Sequence, residues 1–173
     1  MLNDFKLGKY LKKKHPSDNS NTTKNEIKEL TKIPLKKKFV KEMDDGRKVF
    51  GNIVGKEPLI EKLMNESDPI IMKLKKHFNR SRPKVLAKKM GVKMKDIELE
   101  TMKTPSYPSG HSAQGYLIAM TLSDKYPEKR DKLMKTAKDI SYSRRVARAH
   151  YKSDSLFGEQ IGKDMYYHIK KQS

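Results

Sequence analysis

The chain has 173 residues, enough for one domain, and its 40 Lys and Arg against 21 Asp and Glu give a formal net charge of +19. Cysteine is absent, which excludes a disulfide framework and any Cys-ligated zinc or iron–sulfur site. No stretch approaches the roughly 20 apolar residues of a membrane span, and the start Met1-Leu2-Asn3-Asp4-Phe5-Lys6 lacks the apolar segment of a secretory signal, so a soluble, cytoplasmic protein is expected.

In chain order, residues 1–56 read as a basic N-terminal arm. Residues 12–25 contain no apolar side chain and offer nothing to bury against their ordering entropy, so this stretch is expected to be mobile. Lys36-Lys37-Lys38 reads most simply as a solvated face. Positive charge is spread along the chain: residues 1–56 carry 15 basic and 7 acidic side chains, and residues 57–173 carry 25 and 14. It invites an anionic membrane or a nucleic acid as partner without selecting either.

From residue 57 to the end the pattern is helical. Asp68-Pro69 predicts an N-cap followed by proline at the first helical position, with Ile71, Leu74 and Phe78 at spacings of three and four. Pro83 is expected to end this helix, because it disfavours the α conformation at Arg82. A second helix is predicted after Tyr107-Pro108-Ser109-Gly110, with Ala113, Tyr116, Leu117 and Met120 on one stripe and Tyr126-Pro127 as its stop. Leu133, Ala137 and Ile140 mark a third. The last is predicted to start near Ser153-Asp154 and to run through Phe157, Ile161 and Met165. Short alternating β-branched runs are missing, so the expected fold is an all-α, single-domain helical bundle.

Several polar residues interrupt these patterns. Arg144 continues the Leu133–Ala137–Ile140 stripe, so a guanidinium falls on a core face, where it needs a partner, either an ion pair or a bound anion. Lys75 and Arg82 are seven residues apart, which puts them on one face if a single helix carries both. Pro108-Ser109-Gly110-His111 precedes a helix whose free N–H groups can hold an anion, although Ser109 is equally an ordinary N-cap. His150 and Asp154, four apart, can form a pair in which the carboxylate fixes the imidazole tautomer. His111 has no carboxylate within four residues, which makes His150 the better nucleophile of the two. Two histidines and one Asp without an acidic cluster make a poor hard-metal site.

The order of these signals is more specific than any one of them. Lys75 and Arg82-Pro83, then Pro108-Ser109-Gly110-His111, then Ser143-Arg144, His150 and Asp154 resemble the three-part phosphatase signature of the type 2 phosphatidic acid phosphatase superfamily. Phe78-Asn79-Arg80-Ser81-Arg82-Pro83, Ser106-Tyr107-Pro108-Ser109-Gly110-His111-Ser112 and His150-Tyr151-Lys152-Ser153-Asp154 are most similar to its soluble branch, the bacterial class A non-specific acid phosphatases, which share their fold with vanadium haloperoxidases. The resemblance covers about residues 57–170. Lys152 stands where that branch often has proline.

The resemblance implies a metal-independent phosphatase for monoesters, with no cofactor, acting on a small phosphorylated substrate. His150 would be the nucleophile, Asp154 its orienting carboxylate and His111 the acid and base. Lys75, Arg82, Arg144, Ser109 and Gly110 would hold the phosphate oxygens. A homodimer is carried over from class A relatives. Three alternatives stay open at this point: a lipid-phosphate phosphatase recruited to anionic membranes, a vanadate-dependent peroxidase, and a basic nucleic-acid-binding protein.

Overall fold

The computed structural model describes residues 1–173 and is all-α, with no strand. Its helices are α1 (Gly8–Leu11), α2 (Asn21–Lys32), α3 (Lys37–Met43), α4 (Gly46–Val54), α5 (Pro58–Phe78), α6 (Pro83–Lys89), α7 (Gly110–Lys125), α8 (Arg130–Val146) and α9 (Lys152–Lys170). Short 3-10 turns at Glu100–Lys103 and Pro127–Lys129 complete the set. No helix is long and apolar enough to cross a membrane.

Helix α7 is the axis of the bundle. Its buried residues include Ser112, Ala113, Gly115, Tyr116, Leu117, Ile118, Ala119, Met120 and Leu122, so it is apolar or small around most of its circumference, as a helix enclosed by others must be. Helices α5, α8 and α9 surround it. Helix α9 approaches closely through two glycines: a Cβ on Gly158 would collide with the Ser109 carbonyl oxygen, and one on Gly162 with that of Ala113. Ser112 Oγ lies 2.7 Å from Ser141 Oγ, which donates to Glu159 Oε1 at 2.9 Å, so a polar chain links α7, α8 and α9 through the core.

Both ends of α5 differ from expectation. Helix α5 starts at Pro58, capped by Glu57, whose carboxylate accepts from the Leu59 N–H at 3.2 Å, and it passes through Pro69 without stopping. Ile60 and Leu63, buried upstream of that proline, extend the Ile71 and Leu74 face. Burying each contributes about 1.5–3 kcal/mol, enough to offset the roughly 3 kcal/mol that an internal proline costs. At the other end, Asn79 takes the left-handed conformation (φ 47°) and its N–H caps Lys75 O at 2.8 Å. Pro83 then occupies the first position of α6 rather than ending α5, and Arg82 is its N-cap. Lys75 and Arg82 therefore do not share a helical face; a turn between two helices brings them together.

Residues 1–56 are not an arm. Ser20 caps α2 by accepting from the Thr23 N–H at 3.1 Å, and Thr23, inside the stretch expected to be mobile, is buried and donates to Ser17 O at 2.7 Å. Ile27 packs with Leu86, Ala87 and Tyr151, while Val40 packs with Val146, Ala147 and Ala149. Leu2, Tyr10, Val49 and Phe50 belong to the main core. The polar run 12–25 hid this, because the apolar anchors lie on either side of it.

Candidate active site

Helix ends converge at one place: the last turn of α5, the start of α6, the start of α7, the last turn of α8 and the start of α9. Lys75, in the last turn of α5, is 5% exposed and donates from Nζ to Pro105 O at 2.9 Å. Burial first, and then the Arg82 charge, push its pKa down to about 7. Gly110 faces it across the gap, since a Cβ there would lie 3.7 Å from Lys75 Cε. Arg82 donates from Nε to Thr104 O at 2.7 Å, from Nη1 to Ala149 O at 2.9 Å, and from Nη2 to Thr101 O. Its Nη1 also lies 3.0 Å from His150 Nε2.

Ser109 is the N-cap of α7 and accepts from the Ser112 N–H at 3.2 Å. Its own N–H donates to Asp154 O at 3.0 Å, fastening the start of α7 to the first turn of α9. Helix α8 ends at Val146, and Arg148 turns the chain with φ 61°. Arg148 holds this turn by donating to Val146 O at 2.7 Å and Ile33 O at 2.6 Å. His150 thus lies between helices, free of the 120° offset from Arg144 that a continuous helix would impose.

His150 is 1% exposed, and its Nδ1 lies 3.2 Å from Asp154 Oδ2. Burial holds its pKa well below the usual imidazole value, and the neighbouring Arg82, Lys75, Arg144 and His111 add to the effect. Asp154 also accepts from the Tyr151 N–H at 3.0 Å and from Arg80 Nη1 at 2.8 Å. Burial pushes its carboxyl up to about 6, against the pull of Arg80. The helix begins two residues earlier than its Ser-Asp pair suggests, at Lys152, with Asp154 in its first turn.

Arg144 is fully buried on the α8 core face. Its Nη1 pairs with Asp44 Oδ1 at 3.0 Å, its Nε donates to Ser143 Oγ at 3.2 Å, and its Nη2 is buried without a partner. The Asp44 main-chain oxygen accepts from His111 Nε2 at 2.8 Å, with Oδ1 of the same residue 3.6 Å away. Burial lowers the His111 pKa, with Arg144 next in weight and Asp44 opposing both. A cavity of about 650 Å³ opens beside Arg82 and Asp44, lined also by Lys84, Leu99, Met102 and Arg148. Its walls carry both signs of charge.

All eight residues singled out in the sequence lie in this cluster. Three that sequence reasoning passed over join them. Asp44 pairs with Arg144 across 100 residues. Arg80 sits under Asp154 with its guanidinium 3.8 Å from the centre of the Tyr151 ring. Glu26 accepts from Ser153 N–H and Oγ at 2.9 and 2.7 Å and pairs with Arg80 at 3.5 Å. Arg80 stands inside the Phe78–Pro83 run, but no local spacing marks Asp44 or Glu26.

The family model described as the PAP2 superfamily matches residues 66–168. A non-specific acid phosphatase of Salmonella typhimurium is 38% identical over 88 residues, which is 51% of this chain and 35% of that protein. One from Providencia stuartii is 42% identical over 52 residues, 30% of this chain and 21% of that protein. The aligned segment spans about a third or less of the curated relatives' length.

Proposed function

The chain belongs to the PAP2 superfamily, and on that premise we propose that it is a metal-independent phosphatase that hydrolyses phosphate monoesters through a phosphohistidine at His150. The tautomer of His150 carries the reading. A guanidinium can only donate, so the 3.0 Å approach of Arg82 Nη1 leaves Nε2 as a lone pair, and Nδ1 bears the proton directed at Asp154. A neutral imidazole whose unprotonated nitrogen lies among Lys75, Arg82 and Arg144 becomes a nucleophile once a bound phosphate draws the Arg82 N–H away from that lone pair.

In the first step Nε2 attacks phosphorus, a P–N bond forms, and the bond from phosphorus to the ester oxygen breaks. His111 gives its proton to the departing oxygen. In the second step His111 takes a proton from water, the resulting hydroxide displaces the imidazole, and phosphate and free His150 are released. The three cations, with Ser109 Oγ and the Gly110 N–H at the start of α7, balance charge on the non-bridging oxygens. Such fixed donors are worth about 10²–10³ in rate each, and charge stabilisation with positioning is most of what phosphoryl transfer requires. Arg144 Nη2, buried and without a protein partner, supports an anion as its missing acceptor.

The similarity to non-specific acid phosphatases supports a small phosphorylated substrate, whose leaving group would occupy the cavity beside Arg82. A homodimer, a cytoplasmic location and contact with an anionic membrane or nucleic acid belong to the same proposal, the last supported by the net charge of +19. Release of phosphate from an aryl phosphate, with and without EDTA and vanadate, tests the core of it. Activity should survive EDTA and be blocked by vanadate. Loss on chelation, restored by a divalent ion, would overturn the mechanism.

A further inference from the structure

Asp44 lies between α3 and α4, outside the matched residues 66–168, yet it touches two of the residues the proposed reaction uses. Its main-chain oxygen accepts from His111 Nε2 at 2.8 Å, its Oδ1 lies 3.6 Å from the same nitrogen, and Oδ1 pairs with Arg144 Nη1 at 3.0 Å. It also lines the cavity that opens beside Arg82, so it links that cavity, where the leaving group would lie, to His111 behind it. We propose that Asp44 is a positioning residue that holds His111 as a proton donor at the leaving-group side of the site. The site would then contain two imidazole–carboxylate pairs. Asp154 serves His150 from four residues away, and Asp44 serves His111 from a separate part of the chain. This inference rests on the phosphatase reading given above.

The electrostatics fit the geometry. Besides Asp44, the charged group acting on His111 is Arg144 from α8, and the neutral His150 imidazole of the α8–α9 segment lies within electrostatic reach. Burial and Arg144 both disfavour a positive charge on His111. Asp44 is the carboxylate opposing them, and its own pKa is held down to about 2, with the neighbouring His111 ring first among the causes and Arg144 also contributing. An acid that must hand a proton to a poor leaving group needs that opposition.

The test compares the full-length chain with Asp44→Asn and Asp44→Ala. Asparagine keeps the main-chain acceptor and the shape but removes the charge. Turnover of an alkyl phosphate is expected to fall by about tenfold or more in kcat, while an aryl phosphate with an acidic phenol loses about threefold or less, within the range of general-acid effects. The limb of the pH profile that reports the acid should move to lower pH. NMR titration of the His111 ring, which needs no turnover, should show its pKa lowered in both variants. Unchanged kcat with a lower KM would mean that the carboxylate merely competes with phosphate, and would overturn the proposal. Equal losses on both substrates with an unmoved His111 titration would reduce Asp44 to a structural residue and overturn it as well. If wild-type protein hydrolyses neither ester, the phosphatase reading fails, and the His111 titration still decides whether Asp44 governs that histidine.

Discussion

Arg80 Nη1 and Asp154 Oδ1 meet at 2.8 Å across 74 residues of chain, and neither side chain is exposed. The carboxylate beside His150 Nδ1 is therefore itself held by a cation, which also donates to Ser153 Oγ at 2.7 Å and pairs with Glu26. The proposed nucleophile stands at the end of a chain of charges running from α2 to α9.

Replacing Arg80 with alanine should be among the most damaging changes outside the signature. It leaves Asp154 buried without its counter-charge and removes the guanidinium over Tyr151. Breaking a buried pair from one side costs about 3–5 kcal/mol, so urea unfolding should show a loss of that order. In any folded remainder the Asp154 carboxyl moves above about 6, protonates near neutrality and no longer anchors the His150 tautomer. A loss under about 1 kcal/mol, near the median for exposed pairs, would show that the bond contributes little.

Anion binding should take up a proton at Lys75. Burial and Arg82 depress its pKa to about 7 in the free protein, and a dianion placed between the cations favours the charged amine and draws the pKa back up. The sign follows: above pH 7 the free amine is mostly neutral, so binding must collect a proton and affinity falls as pH rises. Sulfate, which does not titrate in this range, is the suitable probe. Calorimetry at pH 8 in buffers of different ionisation enthalpy should report the uptake, and Lys75→Arg should abolish it. Buffer-independent heats with wild-type protein would refute the assignment.

The two histidines should fail differently as alanines. Without His150 no phosphoenzyme forms with any substrate. Without His111 an aryl phosphate with an acidic phenol still phosphorylates His150, because its leaving group scarcely needs the proton, while breakdown slows. After a short pulse with labelled substrate and alkaline quenching, label should remain on His111→Ala and be missing from His150→Ala. The opposite pattern would exchange the roles, and full activity in both would move the active site elsewhere.

Truncation to begin near residue 45 should abolish a stable, active fold. It strips Ile27, Leu30 and Val40 from buried positions, each worth about 1.5–3 kcal/mol, against a total stability of about 5–15 kcal/mol for a domain. It also removes Glu26 and Asp44. A truncated chain that unfolds cooperatively at the wild-type temperature and turns over an aryl phosphate normally would show that these helices are dispensable.

Much of the helical content is legible in local spacing, because burial of one face repeats every three to four residues and caps are short-range. That is why α7 and α8 fall where the stripes predict, with Ser109 as N-cap and Arg144 on the α8 core face. The His150–Asp154 pair is equally local, since its partners are four residues apart. The run of α5 through Pro69 was not legible, because it depends on what Ile60 and Leu63 bury against. Nor was the turn at Asn79, which replaces a shared helical face by two converging helix ends. The partners of Asp44, Arg80 and Glu26 were invisible for the same reason. Coulomb attraction and desolvation act through space, and pairs separated by 100, 74 and 127 residues leave no periodic trace in the chain. By itself the sequence determined most of the helices after residue 57 and the family signature; only tertiary structure decided how the first 56 residues pack and which carboxylates and cations lie beside the signature residues, because those contacts act through space between distant parts of the chain.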